Sequence, residues 1–339
     1  MEKTPAYTQH PDKAIEHGHR FSHVMAIALD ATSNYKRGVI RCITSREGSV
    51  DVGGYIDRSV IHHVSETTPG HFTIGGRLEI RGEDVLTKFG GGAWECIGFE
   101  DPDLFFDERM QQLHLYFTLP LRHKVKGTVQ VHLGHAVGKD LDSLEMTEPV
   151  LQSDPKGKNS AKEVSIAPEN SEGIRYNLIE SNDKRGHRWY STVRVAIAKD
   201  MGKEWEFGPV AFHPGDHKIP WAGEHASPGP LFPKSFIDLG PGKMLGIMNG
   251  REASRKVGKK THYGSFAIGL FIYDYEHGKI EWVSPQPLIQ DTEAKTITFA
   301  SQFVQHESGS GTLYAHVDDS FVRAYTLNAD SIRTLMPSQ

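Results

Sequence analysis

The chain is short of the residues that several common protein classes are built from. Only two of its 339 residues are cysteine, Cys42 and Cys96, too few for a disulfide framework or a four-thiolate zinc site. No apolar run approaches the roughly 18 residues of a membrane helix. The polar opening MEKTPAYTQHPDK lacks the apolar core of a signal peptide, so a cytoplasmic protein without membrane contact is expected. Basic residues are not in excess: 38 Lys+Arg stand against 43 Asp+Glu, a net charge of -5, so the footprint of a nucleic-acid binder is missing from the totals. Long amphipathic helices are missing too, because every candidate stretch is broken by glycine, proline or a β-branched run. The 34 glycines follow no G-X-Y period, and the 37% hydrophobic content is too high for a disordered chain.

What remains is a series of short alternating runs bounded by turn residues, the signature of strands. Five sets recur. Their first members are FSHVMAIA from Phe21, FEDPDLFFD from Phe99, AKEVSIAP from Ala161, EHASPGPLFP from Glu224 and TFASQFVQ from Thr298, spaced 62 to 78 residues apart. Each is followed by two further alternating runs, such as GVIRCIT from Gly38 and RSVIHHV from Arg58 in the first set. The first four sets add a closing segment with an aromatic or Pro-Val element, such as WEFGPVAF from Trp205. A repeated four-strand unit cannot bury both faces of its sheet alone, so the units must stack in a ring. The expected fold is all-β: a five-bladed β-propeller in a single domain spanning 1–339. The fifth set lacks its outer strand, and a strand from within residues 1–20 is expected to supply it.

In a propeller the first strand of each blade lines the axis, so distant residues converge there. Those strands carry Ser22 and His23, Glu100 and Asp101, Lys162 and Glu163, Glu224 with His225 and Ser227, and Ser301 with Gln302. Carboxylates are costly to bury without partners or a task, so their concentration marks a candidate site.

Gly98-Phe99-Glu100-Asp101-Pro102 resembles the G-x-E-D-P segment of glycoside hydrolase family 130, five-bladed β-mannoside phosphorylases and mannosidases. Other family-like pieces follow in the same order: Arg41 after a first-blade strand, Lys162-Glu163-Val164 with Pro168, Ser227-Pro228-Gly229-Pro230 with MLGIMNG, and Tyr314 to Asp319. The resemblance implies that Asp101 is the acid that protonates the departing glycosidic oxygen, and that Asp319 binds sugar hydroxyls. Two departures weigh against phosphorolysis. Asp103 stands where the family has arginine after E-D-P, and Asn249 stands in place of the fourth-blade histidine. Family 43 propellers fit less well, since they carry an aspartate base where this chain has Ser22 and His23.

The expected activity is therefore that of an inverting glycosidase on a β-linked oligosaccharide, with a mannoside as the first sugar to consider. Inorganic phosphate would be the co-substrate of a phosphorylase, and a non-catalytic sugar-binding propeller is the reading from another class. Glu163 and Glu224 both open inner strands and compete as base, either holding a water across the funnel from Asp101. An inverting pair stands about 6.5–9.5 Å apart. Arg41, Arg58, Lys162 and Arg251 are the cationic candidates for sugar hydroxyls or an anion, joined by Ser22, Glu100, His225 and Asn249 as substrate contacts. No cofactor is expected. His62 and His63 point to opposite faces of one strand and no HExxH pattern occurs, so no metal is expected either. Trp94 and Trp221 are candidate sugar platforms, Trp205 and Trp282 packing residues, and Cys96 a core residue. A proton donor must stay neutral at working pH, so burial and Glu163 are expected to raise the pKa of Asp101.

Overall fold

The computed structural model describes residues 4–18, 20–52, 55–154, 159–307 and 309–337. Strands dominate, and the described α-helices are two short ones, Asp84–Phe89 and Ala329–Arg333. No helix among the described residues is long and apolar enough to cross a membrane. After β1 (Tyr7–Ile15), the first unit is the meander β2 (His23–Leu29), β3 (Arg37–Glu47), β4 (Ile56–Thr68) and β5 (His71–Arg77). A short β6 (Trp94–Cys96) precedes the second, β7 (Glu100–Asp107), β8 (Gln112–His123), β9 (Val129–Gly138) and β10 (Glu145–Met146). The third is β11 (Lys162–Ser165), β12 (Arg175–Arg185), β13 (Arg188–Ala198) and β14 (Glu206–Phe212). The fourth runs β15 (His225–Leu231), β16 (Lys243–Arg251), β19 (Phe266–Asp274) and β20 (Lys279–Val283), with a hairpin, β17 (Arg255–Val257) and β18 (Lys260–His262), inserted after β16. The last is β21 (Thr298–Glu307), β22 (Ser310–Val317) and β23 (Phe321–Asn328), and β1 adds its fourth strand by pairing antiparallel with β23, Tyr7 opposite Leu327.

Alternation decides the packing. Along β8, Leu113, Leu115, Phe117, Leu119 and Leu121 face one way, against Ala28, Val39 and Ile61 of the first unit. Tyr116 faces the other way and joins Ile179 and Ala196 of the third. The same happens at each boundary: Val193 and Phe212 meet Met248 and Phe271, Leu245 and Ile268 meet Leu313 and Tyr325, and Tyr314 and Val322 meet Val24 and Ile40. Five apolar cores thus lie between successive units, and the last joins the end of the chain to its start. The first strands close a ring of their own. β2 lies against β7, β7 against β11, β11 against β15, β15 against β21, and β21 against β2.

Two expectations about individual residues change here. Trp221 is not a sugar platform. It is only 5% exposed, donates its indole N–H to Ser284 O at 3.1 Å, and covers Gly250 and Gly269, where a Cβ would run into the ring. Cys96 is exposed rather than core, because the short β6 pairs antiparallel along the end of β8 and the thiol turns to Gly98 O at 3.3 Å.

Candidate active site

Apart from one parallel bridge at the start of β15, His225 with Ser191 of β13, the first strands pair on one side only among the described residues, so they can lose ladder hydrogen bonds and kink without unravelling a sheet. All five do so at the same place. The register slips between Met25 and Ile27, Glu100 and Asp103, Lys162 and Ser165, Pro228 and Leu231, and Ala300 and Gln302. The residues that open these bulges are Ala26, Asp101, Glu163, Gly229 and Ser301. Proline supports two of them, since Pro102, Pro228 and Pro230 have no N–H to give the ladder. Three bulge residues hold a left-handed backbone, Ala26 at φ 49°, Asp101 at φ 45° and Glu163 at φ 47°. Such strain in a non-glycine residue persists only where the surroundings impose it, and functional sites are where it collects.

The strain aims two acids at one another. Glu163 lies within hydrogen-bond reach of Asp101, and both line an axial cavity of about 220 Å³. Burial first, then the nearby charges of Asp101 and Glu180, push the Glu163 carboxyl well above its ordinary range, so the proton of the pair sits on Glu163. Arg41, 7% exposed, reaches across from β3 and places Nη1 at 2.7 Å from Asp101 Oδ1 and Nη2 at 3.0 Å from Glu100 Oε1. Burial opposes the arginine charge, but the two carboxylates outweigh it. Burial also raises Glu100, against the pull of Arg41. The Nε of Arg41 is buried without a hydrogen-bond partner.

Around this pair the charges are matched. Glu180 takes Lys162 Nζ at 3.9 Å and His225 Nε2 at 3.0 Å. Burial works against its charge, yet His225, Lys162 and Ser191 hold it well below the usual carboxylate range. Burial lowers His225 in turn, while Glu180 pulls the other way. Lys162 is raised, by Glu180 above all. On the fifth unit Asp319, in a left-handed backbone at φ 48°, takes His316 Nε2 at 3.2 Å and lies 3.8 Å from Arg46, which clamps Asp57 by two bonds of 2.7 Å. Burial would raise Asp319, but His316, Arg46 and Arg41 hold it low.

The expected site residues therefore divide. Asp101, Glu163, Glu100, Arg41, Lys162, His225 and Asp319 belong to one connected cluster. Glu224 does not take the place expected of a base: it lies five residues before the bulge residue Gly229 rather than at it. Its Oε2 is taken up by Ser254, through the backbone N–H at 2.8 Å and the hydroxyl, and by Arg251 at 3.5 Å. Arg251 is correspondingly committed to Glu224 and stacked over Tyr263 at 4.2 Å. Asn249 is fully buried, with Nδ2 donating to Ala300 O at 3.0 Å and Oδ1 accepting from Ala300 N at 2.8 Å, so it clips β16 to β21 and cannot reach a sugar. Arg58 is exposed and lines a separate cleft of about 550 Å³ with Trp94, because its neighbour Asp57 takes the inward face of β4. Ser22 is exposed and precedes β2. The inverting spacing across the funnel is also corrected, since Glu163 touches Asp101 and leaves no room between them for water.

Sequence reasoning missed Asp103, Glu180 and the Arg46–Asp57 clamp. Asp103 lines the axial cavity, and burial pushes it up to about 7. The signal was present in E-D-P-D, where the second aspartate follows the first by two. Glu180 sits on a second strand, opposite Lys162 in the register. Among the described residues no group of three or more His, Cys, Asp or Glu is arranged to hold a metal ion.

No family model and no curated protein matches the chain. Solved structures do. A glycosyl hydrolase from Bacteroides ovatus superposes with a TM-score of 0.65 at 14% identity, over 99% of this chain and 96% of that one. A β-1,2-mannobiose phosphorylase from Listeria innocua, in complex with β-1,2-mannobiose, gives 0.62 at 11% identity over 99% and 94%. A mannose phosphorylase from Leishmania mexicana in complex with phosphate gives 0.54 at 14% over 95% and 84%. The chain thus has the all-β fold of propeller glycosidases and mannoside phosphorylases, and the resemblance to family 130 is supported at the level of fold. Carbohydrate-active enzymes are its structural neighbours.

Proposed function

We propose that this chain is a glycosidase that hydrolyses a β-linked oligosaccharide, with β-mannosides as the first substrates to test. In this reading the five four-strand units are the five blades of one propeller, and the reaction takes place where their first strands converge. The observation that carries the proposal is the Glu163–Asp101 pair, two acids held in strained backbone within hydrogen-bond reach of each other beside a guanidinium. Two carboxyls in contact cannot both ionise cheaply, so the pair keeps a proton at pH values where an isolated carboxyl would lose it.

Glu163 passes its proton to Asp101, which hands it to the departing glycosidic oxygen, and the pair regains a proton from solvent once the product has left. The attacking water needs a separate anionic carboxylate. Asp319, held low by His316, Arg46 and Arg41, supplies one and takes the water proton as the new bond to the anomeric carbon forms. The unpartnered Nε–H of Arg41 is a donor for a sugar hydroxyl. Charge matching favours water over phosphate as the nucleophile. Arg41, Lys162, Arg46 and Arg251 each already face a carboxylate, so a phosphate dianion at the axis would find no spare cation among them.

The test is incubation with β-linked manno-oligosaccharides and aryl β-mannosides, with and without phosphate. Release of free sugar in phosphate-free buffer is expected. Release of a sugar 1-phosphate only when phosphate is present overturns hydrolysis, and tight binding of sugar without turnover of any glycoside replaces catalysis by recognition.

A further inference from the structure

The first unit kinks its first strand like the others but places no acid there. Its bulge leaves Ala26 over, between Met25, which pairs with Arg41, and Ile27, which pairs with Ile40. Ala26 is 2% exposed and holds a left-handed backbone at φ 49°, with no side-chain function to aim. A residue without a partner on β3 has its N–H to spare, and Ala26 donates it to Nδ1 of His316 at 3.3 Å. The fifth unit braces the kink from the other side. Ser301 Oγ donates to Ile27 O at 3.0 Å, and Gln302 Oε1 accepts Leu29 N–H at 2.9 Å.

His316 has little freedom to answer in any other way. It is 4% exposed on β22, and Phe299, its partner in the β21 register, stacks on the ring at 5.1 Å with the planes 13° apart. An imidazole nitrogen that accepts a hydrogen bond carries no proton, so the proton of the ring is on Nε2. Nε2 lies 3.2 Å from Asp319 Oδ1, and the bond therefore runs from ring to carboxylate.

The carboxylate it meets is held on one oxygen only. Asp318 and Asp319 form the tight turn between β22 and β23, closed by Ser320 N–H to Val317 O at 2.9 Å, both in left-handed backbone at φ 50° and 48°. The two acids then part. Asp318 accepts backbone N–H groups from Lys295, Thr296 and Ile297 and pins the turn. Asp319, 7% exposed, has Oδ1 on His316, while Oδ2 has only long contacts, Tyr55 Oη at 3.5 Å and Arg46 Nη2 at 3.8 Å. One oxygen fixed and one left over is what a general base needs.

We infer that His316 is the positioning residue of the base: it links the freed N–H of the first-unit kink to Asp319, fixing Oδ1 and leaving Oδ2 to take the proton of the attacking water. This deepens the glycosidase reading and rests on it for Asp319 as the base. The water proton goes to Oδ2 as the water oxygen bonds to the anomeric carbon. The His316 proton stays on Nε2 throughout, because the Ala26 N–H occupies Nδ1 and leaves the ring no second place for one. Arg46 and Arg41 from β3, Tyr55 directly before β4 and His23 from β2 are the other charged or titratable groups facing Asp319. Substitution of His316 leaves all four in place. Loss of the Nε2–H donor therefore moves Asp319 upward toward its ordinary range, and the acid limb of kcat/KM with it to higher pH.

Two substitutions separate the two ends of the ring. Asparagine puts an acceptor where Nδ1 stands but does not reach Asp319; glutamine puts an N–H donor where Nε2 stands. In the full chain, His316→Asn is expected to lower kcat roughly tenfold with KM within threefold, and to move the acid limb to higher pH. His316→Gln should restore most of kcat and return the limb to its wild-type place. Equal losses in the two variants, an acid limb unmoved in both, or a loss confined to KM overturns the inference; the last makes Asp319 a sugar contact rather than a base. Nuclear magnetic resonance decides the same point without turnover. The wild-type ring nitrogens should show the proton on Nε2, and the Asp319 carboxyl carbon should titrate higher in His316→Asn than in His316→Gln. A proton on Nδ1, or one titration midpoint for both variants, overturns it. The two readings fail separately. A carboxyl that responds as expected in a chain that cleaves no glycoside removes the glycosidase, whereas cleavage with an acid limb indifferent to residue 316 removes only the role of His316.

Discussion

The second and third units can be set against the fourth and fifth. All four kink their first strand at the same step of the register, yet only the second and third place an acid on the kink. Asp101 and Glu163 occupy in their units the place that Gly229 and Ser301 occupy in theirs. The backbone device is therefore general to the repeat, and the chemistry is local to two copies of it. The fourth unit shows the converse, with its glutamate, Glu224, displaced from the kink and consumed by Ser254 and Arg251. An acid near the axis is not enough; it must sit at the bulge, where the reversed φ turns it into the cavity.

Removing the acid from the second unit should break the comparison most completely. Asp101→Asn is expected to lower turnover by about 10³-fold, within the range for losing a general acid, with glycan affinity changed less than threefold by calorimetry. Glu163→Gln should cost about 10²-fold and also move the pH profile. The wild-type alkaline limb reports loss of the proton that burial keeps on Glu163; glutamine has no such proton to lose, so the limb should shift. If the limb stays in place in an active variant, the pairing is wrong.

The same substitution sharpens the comparison through stability. The folded state binds the Glu163 proton more tightly than the unfolded state, so stability is full below the ordinary glutamate pKa of 4.5 and falls as pH rises toward the raised folded value. Glutamine has no such loss. Melting curves of Glu163→Gln and wild type should therefore diverge above about pH 5, the variant being the more stable, and converge below it. In the fourth unit the effects should be structural. Glu224→Gln is expected to cost about 1–2 kcal/mol in denaturant unfolding through the weakened Ser254 and Arg251 contacts, with kcat within threefold and both pH limbs unmoved. Arg58→Ala, outside the compared units, should change stability by less than about 0.5 kcal/mol and initial rates by less than twofold.

The repeat was legible because alternation and turn residues are local. The first members of all five sets coincide with β2, β7, β11, β15 and β21, and the strand missing from the fifth set is found at Tyr7–Ile15. The register was not legible. A one-residue slip exchanges the two faces of a strand, and a bulge is such a slip with no single residue type to announce it. That is why Glu224 and Asn249 read as site residues from their neighbourhood in the sequence. Asp101 and Lys162 could be placed because E-D-P and K-E-V sit directly at the kink. Glu180 could not, since nothing in RYNLIE shows that it pairs opposite Lys162. The basic hairpin also stood outside the reading, as an insertion between β16 and β19 has no counterpart in the other units among the described residues.

The pairing of β1 with β23 sets the order in which the protein can be assembled. Tyr7 leaves the ribosome long before Leu327, so the first strand made is among the last to find its partner. Until then it is an open edge, available to any other strand in the cell. Its own sequence guards against this, for Pro11 denies a backbone donor, Lys13 adds charge, and the register breaks between Gln9 and Lys13. Closing so long a loop costs entropy that no contact offsets until the fifth unit exists, so the last folding step and the docking of β1 should be one and the same event.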